Sequence, residues 1–400
     1  MALKFANFSA SSPFTLASCL ILILLWALPI EAATFYVATN GNDANPGTAA
    51  LPFRTMYRAG SAMRAGDVVV LRAGIYQEAV VNNFPSGTSW DLPTRVMAYP
   101  NEQVTLQPSS ADSRVVYFSR GASYISLEGL ILDGSNVGYD AVKIDLASHH
   151  IRFQNCEIKN AKNQGVLIND ASFIEFIRCN IHDNGLTDFT HGLYLNGTDN
   201  LVDGCRIYGN GGWGVHAYGS TSARNIIRNN MIYNNAKAGS RGPGIGLYTG
   251  SGQKAYNNLI WGNQEGIAIG EGATNSKVHN NSIYKNSRYG VLIDPLSNSA
   301  EVLNNIVFSN AAGILNQGTG SILQNNLSDT DPKFVDPASG DFRLLNGSPA
   351  IDAGTNSDIV SSDFQGTKRP QGTALDIGAF EIAGDRDTVA PTAPIITNVR

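Results

Sequence analysis

Charged side chains are scarce in this chain. They make up 15% of its 400 residues, with 28 lysines and arginines against 33 aspartates and glutamates, and no basic run occurs. Nucleic acids and anionic membranes are bound by clustered basic residues, so the sequence predicts neither as a partner. Hydrophobic residues reach 43%, which is too many for a disordered chain. These figures predict a folded, soluble body.

Cysteine is also scarce, and its spacing excludes two common uses. Beyond the N-terminal leader described below, only Cys156, Cys179 and Cys205 remain. An odd number of cysteines separated by 23 and 26 residues matches neither a disulfide framework nor a closely spaced metal site. We interpret them as small buried apolar residues.

Long hydrophobic runs are missing except at residues 20–28. This run follows Lys4 and a polar stretch and is closed by Pro29, Ala32 and Ala33, which is typical of a secretory signal peptide. A membrane-spanning helix needs roughly 20 apolar residues, so an uncleaved anchor is the weaker alternative. The sequence predicts a signal peptide over residues 1–32, cleavage near Ala32, and a protein that is secreted or held at the cell surface. No membrane segment is expected in the mature chain.

A short pattern recurs along the middle of the chain. The aligned aliphatic residues of seven copies are separated by 23, 26, 25, 28, 23 and 24 residues. A variable period of this size is typical of solenoids, in which insertions collect in loops. The seven copies are residues 155–158, 178–181, 204–207, 229–232, 257–260, 280–283 and 304–307.

Each copy combines two kinds of short apolar run. One alternates apolar and polar residues, as in residues 151–153, and the other opens with a small residue, as in residues 165–169. Both runs are rich in β-branched residues, which favours strands. Two or three short strands per coil, stacked in register, predict an all-β fold of the parallel β-helix type. Asparagines recur at two positions of each coil and are expected to stack as hydrogen-bonded columns. The columns are Asn184, Asn210, Asn235, Asn263, Asn286 and Asn310, and Asn230, Asn258, Asn281 and Asn305.

The ends of a solenoid expose strand edges and need caps. Residues 33–120 are predicted to hold an N-terminal cap and the first coils, with strands at 34–38 and 66–76 and a helix over 52–63. The repeats occupy residues 121–328. A C-terminal cap is expected over residues 329–384, and residues 385–400 are a Thr/Pro-rich linker or the start of a further module.

The strands that open with a small residue predict a surface ladder. Residues one and three positions after the small residue are mostly aliphatic and should face the core, so those two and four positions after it should face solvent. The first outward column is Lys143, Leu167, Tyr194, His216 and Gly246. The second is Asp145, Asn169, Asn196, Tyr218 and Tyr248. One wall of the molecule should therefore gather chemically useful side chains.

Two segments carry a family resemblance. Residues 52–55, 66–70 and 74–76 are similar to an N-terminal segment of many secreted β-helix lyases, and residues 348–352 with 376–378 resemble a C-terminal block of bacterial surface members. Over nearly all of the mature sequence, the chain resembles the pectate-lyase-like superfamily of right-handed parallel β-helix proteins. This resemblance implies a glycan ligand, with lyase, epimerase, hydrolase and binding activities all represented among members.

Uronate lyases need a base for the C5 proton, an acid for the leaving oxygen and a group that neutralises the carboxylate. His216 or His191 is the predicted base and Tyr194 the predicted acid. Lys143 is the rival base, because basic residues serve in related lyases, although it lies about two coils from Tyr194.

The remaining ladder residues are predicted to bind substrate. Asn169 and Asn196 would hold the carboxylate, while Trp213, Tyr218 and Tyr248 would form a sugar-stacking surface. The sequence identifies no definite cofactor. A calcium-assisted variant of the reaction would use Asp140 and Asp145 together with Asn169, because clustered oxygens suit that ion.

The combined features favour a secreted, monomeric polysaccharide lyase that acts on an acidic, uronate-containing polysaccharide by β-elimination. Two alternatives stay open, a non-catalytic glycan-binding surface repeat protein and a uronate C5-epimerase. Glycoside hydrolysis ranks third, because the opposed pair of carboxylates that it needs is not found in the sequence.

Overall fold

Short strands follow one another around each coil and pair in parallel with the same strands of the next coil. The computed structural model describes residues 32–109, 114–239 and 242–382, and this part of the chain forms a parallel β-helix of three ladders. The predicted fold class is confirmed. In the described parts of the chain, no helix is long and apolar enough to cross a membrane.

The first ladder carries the strands that open with a small residue, and we call it the site ladder. Its longest strand bends near Ala171 and continues into the second ladder. The strands are Val80–Val81, Val116–Phe118, Val142–Asp145, Val166–Ile177, Leu193–Thr198, Val215–Ala217, Ile245–Tyr248, Ile267–Gly270, Tyr289–Ile293 and Ala312–Asn316.

The second and third ladders complete each coil. The second ladder comprises Thr34–Val37, Val68–Leu71, Thr94–Ala98, Ser123–Glu128, His149–Gln154, the second half of Val166–Ile177, Leu201–Asp203, Ile226–Arg228, Lys254–Tyr256, Lys277–His279, Glu301–Leu303 and Ile322–Gln324. The third ladder comprises Gly74–Tyr76, Val104–Leu106, Ile131–Asp133, Glu157–Lys159, Asn180–His182, Arg206–Tyr208, Met231–Tyr233, Leu259–Trp261, Ser282–Tyr284, Ile306–Phe308 and Leu327–Ser328.

Side chains alternate between the core and the surface along each strand. In the site ladder, Val166 and Ile168 are fully buried, whereas Leu167 between them is partly exposed. The second ladder contributes larger core residues, and the rings of Phe153 and Phe176 stack with centroids 5.0 Å apart. The predicted alternation is therefore confirmed for this strand, because a strand period of two places alternate residues on opposite faces. Solvent exposure does not follow at every outward position, since Asp145 and His216 are only 5% and 8% exposed.

The two asparagines of each pair in the repeat have different structural roles. The first residue of each pair adopts a left-handed backbone, as Asn257 does with φ 52°, a conformation that asparagine tolerates well. The second is buried in a column in which its amide bonds to the next coil, as Asn258 Nδ2 does to Asn281 Oδ1 at 2.9 Å. The three cysteines occupy this column in earlier coils. They are buried and unpaired, as predicted, and Cys205 N–H donates to Asn230 Oδ1 at 2.8 Å.

The N-terminal helix is shorter than the sequence suggests. It spans Met56–Ala62, begins after Thr55, whose hydroxyl accepts the Arg58 N–H, and buries Met56 and Ala59. Its start is set by the cap, since Pro52 and Phe53 precede it in extended backbone paired with Val37. The strand predicted over residues 66–76 is two strands, Val68–Leu71 and Gly74–Tyr76, which belong to different ladders.

The C-terminal segment lies along the side of the β-helix. Its antiparallel hairpin joins Phe334–Asp336 to Asp341–Leu344, and its apolar side chains pack on the third ladder around Leu259 and Ile306. Near the end of the solenoid, Ala312–Asn316 is partly exposed and Ile322–Gln324 is exposed along its whole length. The predicted signal peptide, apart from Ala32, and the predicted tail at 385–400 lie outside the described residues.

Candidate functional site

The site ladder places the first predicted column in register across consecutive coils. Tyr117 pairs with Lys143, Lys143 with Leu167 and Leu167 with Tyr194. Tyr194 in turn pairs with His216. Neighbouring strands are about 5 Å apart, so Lys143 and Tyr194 flank Leu167 at one strand spacing on either side. The predicted site residues therefore fall into two groups, with the coil of Leu167 and Asn169 between them.

The first group, the ion-pair cluster, consists of Arg114, Tyr117, Asp140, Lys143 and Asp145. Lys143 Nζ lies 3.0 Å from Asp145 Oδ2, which also accepts a hydrogen bond from the Tyr117 hydroxyl at 3.3 Å. Arg114 Nε donates to Asp140 Oδ2 at 3.3 Å. Sequence reasoning missed Arg114, because it stands before its strand and outside the period-two pattern.

The two predicted calcium ligands do not form a calcium site. Asp140 is ion-paired with Arg114, and burial raises the pKa of its carboxyl group. Asp145 is ion-paired with Lys143, and the third predicted ligand, Asn169, uses its Oδ1 to accept the Asn196 amide at 2.9 Å. Within the described ranges, no group of three or more His, Cys, Asp or Glu side chains is arranged to hold a metal ion. The donor set present does not fit calcium, and we route no chemistry through it.

The second group is an aromatic box around His216. His191 lies against the box on the preceding coil, with its ring centroid 4.8 Å from that of His216. The rings of Trp213, Tyr218, Tyr194 and Tyr248 have centroids 3.8, 5.0, 5.1 and 5.7 Å from the His216 ring.

Gly246 makes room for the box. A Cβ atom at this position would lie 2.5 Å from the Trp213 ring, so only glycine lets the indole reach across the next coil. The sequence alone shows that Gly246 stands in the outward column. It does not show that the Trp213 indole packs over Gly246, because that depends on the loop between residues 208 and 215, which the repeat pattern does not describe.

Hydrogen bonds fix the proton positions on both histidines. The Trp213 backbone N–H donates to His191 Nδ1 at 3.1 Å, so that nitrogen must be an acceptor. His191 Nε2 therefore carries the proton and donates to His216 Nδ1 at 3.1 Å. His216 in turn carries its proton on Nε2, which is buried and has no hydrogen-bond partner in the described structure. This series of hydrogen bonds has a single direction, because the Trp213 backbone N–H can donate a hydrogen bond but cannot accept one.

Burial keeps both imidazoles neutral. It lowers the pKa of His191 to about 3, and burial together with the neighbouring imidazole lowers the pKa of His216 to about 2. Burial also raises the pKa of Tyr194, with smaller contributions from Tyr218 and Glu271, so its hydroxyl stays protonated at neutral pH. The box is an uncharged environment with fixed donors.

A glutamine outside the predicted set orders the strand that leads into the box. Gln164 Oε1 accepts the His191 backbone N–H, and Gln164 Nε2 donates to the Phe189 carbonyl at 3.0 Å. Gln164 and His191 each directly precede the glycine of a site-ladder strand. This shared position is visible in the sequence and could have identified Gln164 as a neighbour of His191.

The matching family follows the same architecture. A family model described as the Pel9A-like, right handed beta helix region matches residues 35–326. The chain belongs to this family. The match covers most of the three ladders and confirms the predicted right-handed, pectate-lyase-like fold.

Relatives of this Pel9A-like chain are named as lyases. Pectate lyase L of Dickeya dadantii (strain 3937) is 25% identical, over 87% of this chain and 90% of that protein. The crystal structure of pectate lyase Pel9A matches with a TM-score of 0.71 and 21% identity, covering 87% of this chain and 96% of that one. A rhamnogalacturonan lyase matches with a TM-score of 0.51 and 15% identity, covering 79% and 96%. The structural likenesses show a shared fold.

Proposed function

We propose that this protein is a secreted lyase that cleaves a uronate-containing polysaccharide by β-elimination. The observation that carries the proposal is the register of the site ladder, in which Leu167 lies between Lys143 and Tyr194. The named activities of the relatives support the same class of substrate.

The Leu167 coil suits one sugar ring. A pyranose is about as wide as the 5 Å spacing of the ladder, so a ring over Leu167 comes within reach of both neighbouring coils. Leu167 offers a partly exposed apolar floor, and Asn169 on the same strand is exposed beside it. A base and an acid would therefore face the ring from opposite sides.

The proposed elimination uses these two sides. Lys143 Nζ, which is ion-paired with Asp145, first gives its ammonium proton to solvent. As the free amine it then takes the C5 proton, and the electron pair left behind forms the C4–C5 double bond while the C4–O bond breaks. Tyr194 donates its phenolic proton to the leaving oxygen, a role that its raised pKa suits because the hydroxyl is kept protonated. The Asn169 amide, exposed on the strand of Leu167, is the group placed to donate a hydrogen bond to the carboxylate.

The two histidines are less suited to act as the base. The Nδ1 atom of each already accepts a hydrogen bond, and the Nε2 atom of each carries the proton. Their lowered pKa values also make them weak proton acceptors. We therefore assign the base to Lys143 and treat His191 and His216 as fixed donors.

Elimination produces an unsaturated uronate that absorbs ultraviolet light. We expect absorbance to rise when the protein is mixed with one member of a panel of galacturonan, alginate and glycosaminoglycans. Lys143→Met and Tyr194→Phe should each lower kcat by at least about a hundredfold, the usual contribution of a general acid or base. Lys285→Met, at an exposed lysine beyond the third ladder, is the matched control and should behave as wild type.

Three other results would change the assignment. No absorbance change on any polymer would contradict elimination and favour glycan binding. A C5-epimerase would also use groups on opposite sides of the ring, and it would incorporate deuterium from heavy water at C5 without chain cleavage. Full activity of Lys143→Met would exclude Lys143 as the base.

A further inference from the structure

Four residues form a hydrogen-bonded column at the start of the site-ladder strands, and we call it the anchor column. Asp140, Gln164, His191 and Trp213 each directly precede the small residue that opens a strand. Asp140 Oδ1 accepts the Gln164 backbone N–H at 3.2 Å, and Gln164 Oε1 accepts the His191 backbone N–H. His191 Nδ1 accepts the Trp213 backbone N–H at 3.1 Å. Each side chain therefore bonds to the backbone of the next coil.

The backbone N–H groups of the column need these side-chain acceptors. Gln164 and His191 are only 9% and 4% exposed, and a buried N–H without an acceptor is costly. Their carbonyl groups serve the preceding coil, since they accept the N–H groups of Ala141 and Gly165 at 3.1 and 2.9 Å. The side chains thus join each coil to the following one.

The column ends where its chemistry no longer applies. The next residue at this position is Pro243, which has no backbone N–H, and the Trp213 indole has no acceptor atom to offer. At the other end, Arg114 Nε donates to Asp140 Oδ2 at 3.3 Å and balances the carboxylate charge. The column therefore connects the ion-pair cluster to the aromatic box.

Each of the first three members stands three residues before a residue of the first outward column. The pairs are Asp140 with Lys143, Gln164 with Leu167 and His191 with Tyr194. Three residues of extended strand are a short connection of about 10 Å, so a shift of a column member moves its outward partner. Gln164 is the central member, because it bonds to both neighbouring coils and its Nε2 also donates to the Phe189 carbonyl at 3.0 Å.

We propose that Gln164 is a positioning residue that sets the separation of Lys143 and Tyr194 across Leu167. It acts through the His191 backbone, which leads directly into the strand of Tyr194. The inference rests on the proposed function for the identity of the base and the acid. It adds the group that holds them at their working distance.

The kinetic test compares Gln164→Met with a matched control. Methionine keeps the length of the side chain and removes both its acceptor and its donor. On the polymer of the panel that the wild type cleaves, kcat should fall about ten- to a hundredfold, the order of loss caused by moving a reacting group about 1 Å. KM should change less than about threefold. Gln317→Met, at an exposed glutamine after the last site-ladder strand, should behave as wild type.

Gln164→Glu gives a pH readout that a loss of stability does not imitate. The protonated carboxyl group offers an oxygen to the His191 N–H and an O–H to the Phe189 carbonyl, as the amide does, whereas the ionised group has no donor. Burial raises the pKa of such a carboxyl group. The ratio of variant to wild-type kcat should therefore approach one at low pH and fall about tenfold as the carboxyl group ionises.

A second measurement does not depend on activity. The His191 Nε2–H, which is bonded to His216 Nδ1, is followed by NMR of the full chain with labelled histidine and is assigned by its loss in His191→Phe. Its exchange with water should be about tenfold faster in Gln164→Met, because His191 loses its backbone anchor. Gln317→Met should leave the exchange unchanged. Circular dichroism verifies folding, and Gln164→Glu carries the test if Gln164→Met does not fold.

The outcomes separate this inference from the proposed function. Wild-type kcat in folded Gln164→Met would overturn the inference, as would a Gln164→Glu ratio that does not vary with pH. A lower kcat with unchanged exchange would also overturn it, since Gln164 would then not act through His191. Faster exchange in Gln164→Met, with no cleavage of any polymer by the wild type, would contradict the lyase and support the anchor column.

Discussion

At the residue scale, the buried asparagines hold successive coils in register. Asn258 Oδ1 accepts the Asn230 backbone N–H at 3.1 Å and its side-chain amide at 2.9 Å. Asn258 Nδ2 donates to the Ile227 carbonyl and to Asn281 Oδ1, both at 2.9 Å. One side chain therefore satisfies polar groups on both neighbouring coils, which no apolar residue of similar size can do.

Asn258→Ala should lower the free energy of unfolding by about 2–4 kcal/mol, because it leaves several buried groups without partners. Chemical denaturation followed by circular dichroism would measure the loss. Asn356→Ala, at an exposed asparagine of the C-terminal segment, is the control and should change stability by less than about 0.5 kcal/mol. Equal stability of the two variants would contradict a structural role for the column.

At the element scale, the repeat made the strands predictable and the loops unpredictable. The small residue that opens the repeat's site-ladder strands and the alternation after it identified Tyr194, His216 and their neighbours as outward residues. The closure of Trp213 over His216 and the contacts of Gln164 arise from loops of irregular length between the third ladder and the site ladder. Such loops carry no period, so their contacts were not predictable.

The C-terminal hairpin shows a second limit of pattern reading. Its break from the repeat was visible, but its position against the third ladder depends on aromatic contacts. The Phe342 ring is fully buried and lies 5.2 Å from Trp261, 5.7 Å from Tyr284 and 5.1 Å from Phe334.

Phe342→Ala should release this segment, because the loss of a buried aromatic ring costs about 3–5 kcal/mol. We expect residues 331–382 to become protease-sensitive and their amides to exchange faster, while the β-helix keeps its circular dichroism spectrum. Ala338→Ser at the exposed hairpin turn should leave protection unchanged. Global unfolding of Phe342→Ala instead would show that the segment and the solenoid form one cooperative unit.

At the scale of the whole molecule, buried charge makes the stability of the fold depend on pH. Burial raises the pKa of Asp376 to about 6, while hydrogen bonds from Arg369 to Glu381 and to the Gly378 carbonyl hold the same region together. A raised folded-state pKa means that the folded protein binds the proton more tightly than the unfolded chain. The stability from this group is therefore present below about pH 4 and is lost as the pH rises to about 6.

Asp376→Asn should flatten the unfolding free energy between pH 4 and pH 6, where the wild type should lose up to roughly 3 kcal/mol from this group. Denaturant titrations at several pH values would measure both profiles. Opposite behaviour is expected at Glu157, whose pKa the His182 hydrogen bond lowers to about 2, so that its stabilisation disappears as the pH falls from about 4.5 to about 2. A wild-type profile that is flat from pH 4 to pH 6 would contradict the assignment to Asp376.

The sequence by itself determined the solenoid, the three buried cysteines, the asparagine columns and the outward direction of Lys143, Tyr194 and His216. These features are local and repeat with each coil, so strand alternation and backbone preference suffice to specify them. Only the tertiary structure decided that Arg114 and Lys143 neutralise Asp140 and Asp145, and that the Trp213 N–H directs the proton of each histidine. It also decided that the C-terminal segment lies along the third ladder. These contacts join residues far apart in the chain or in aperiodic loops, where the repeat has no influence.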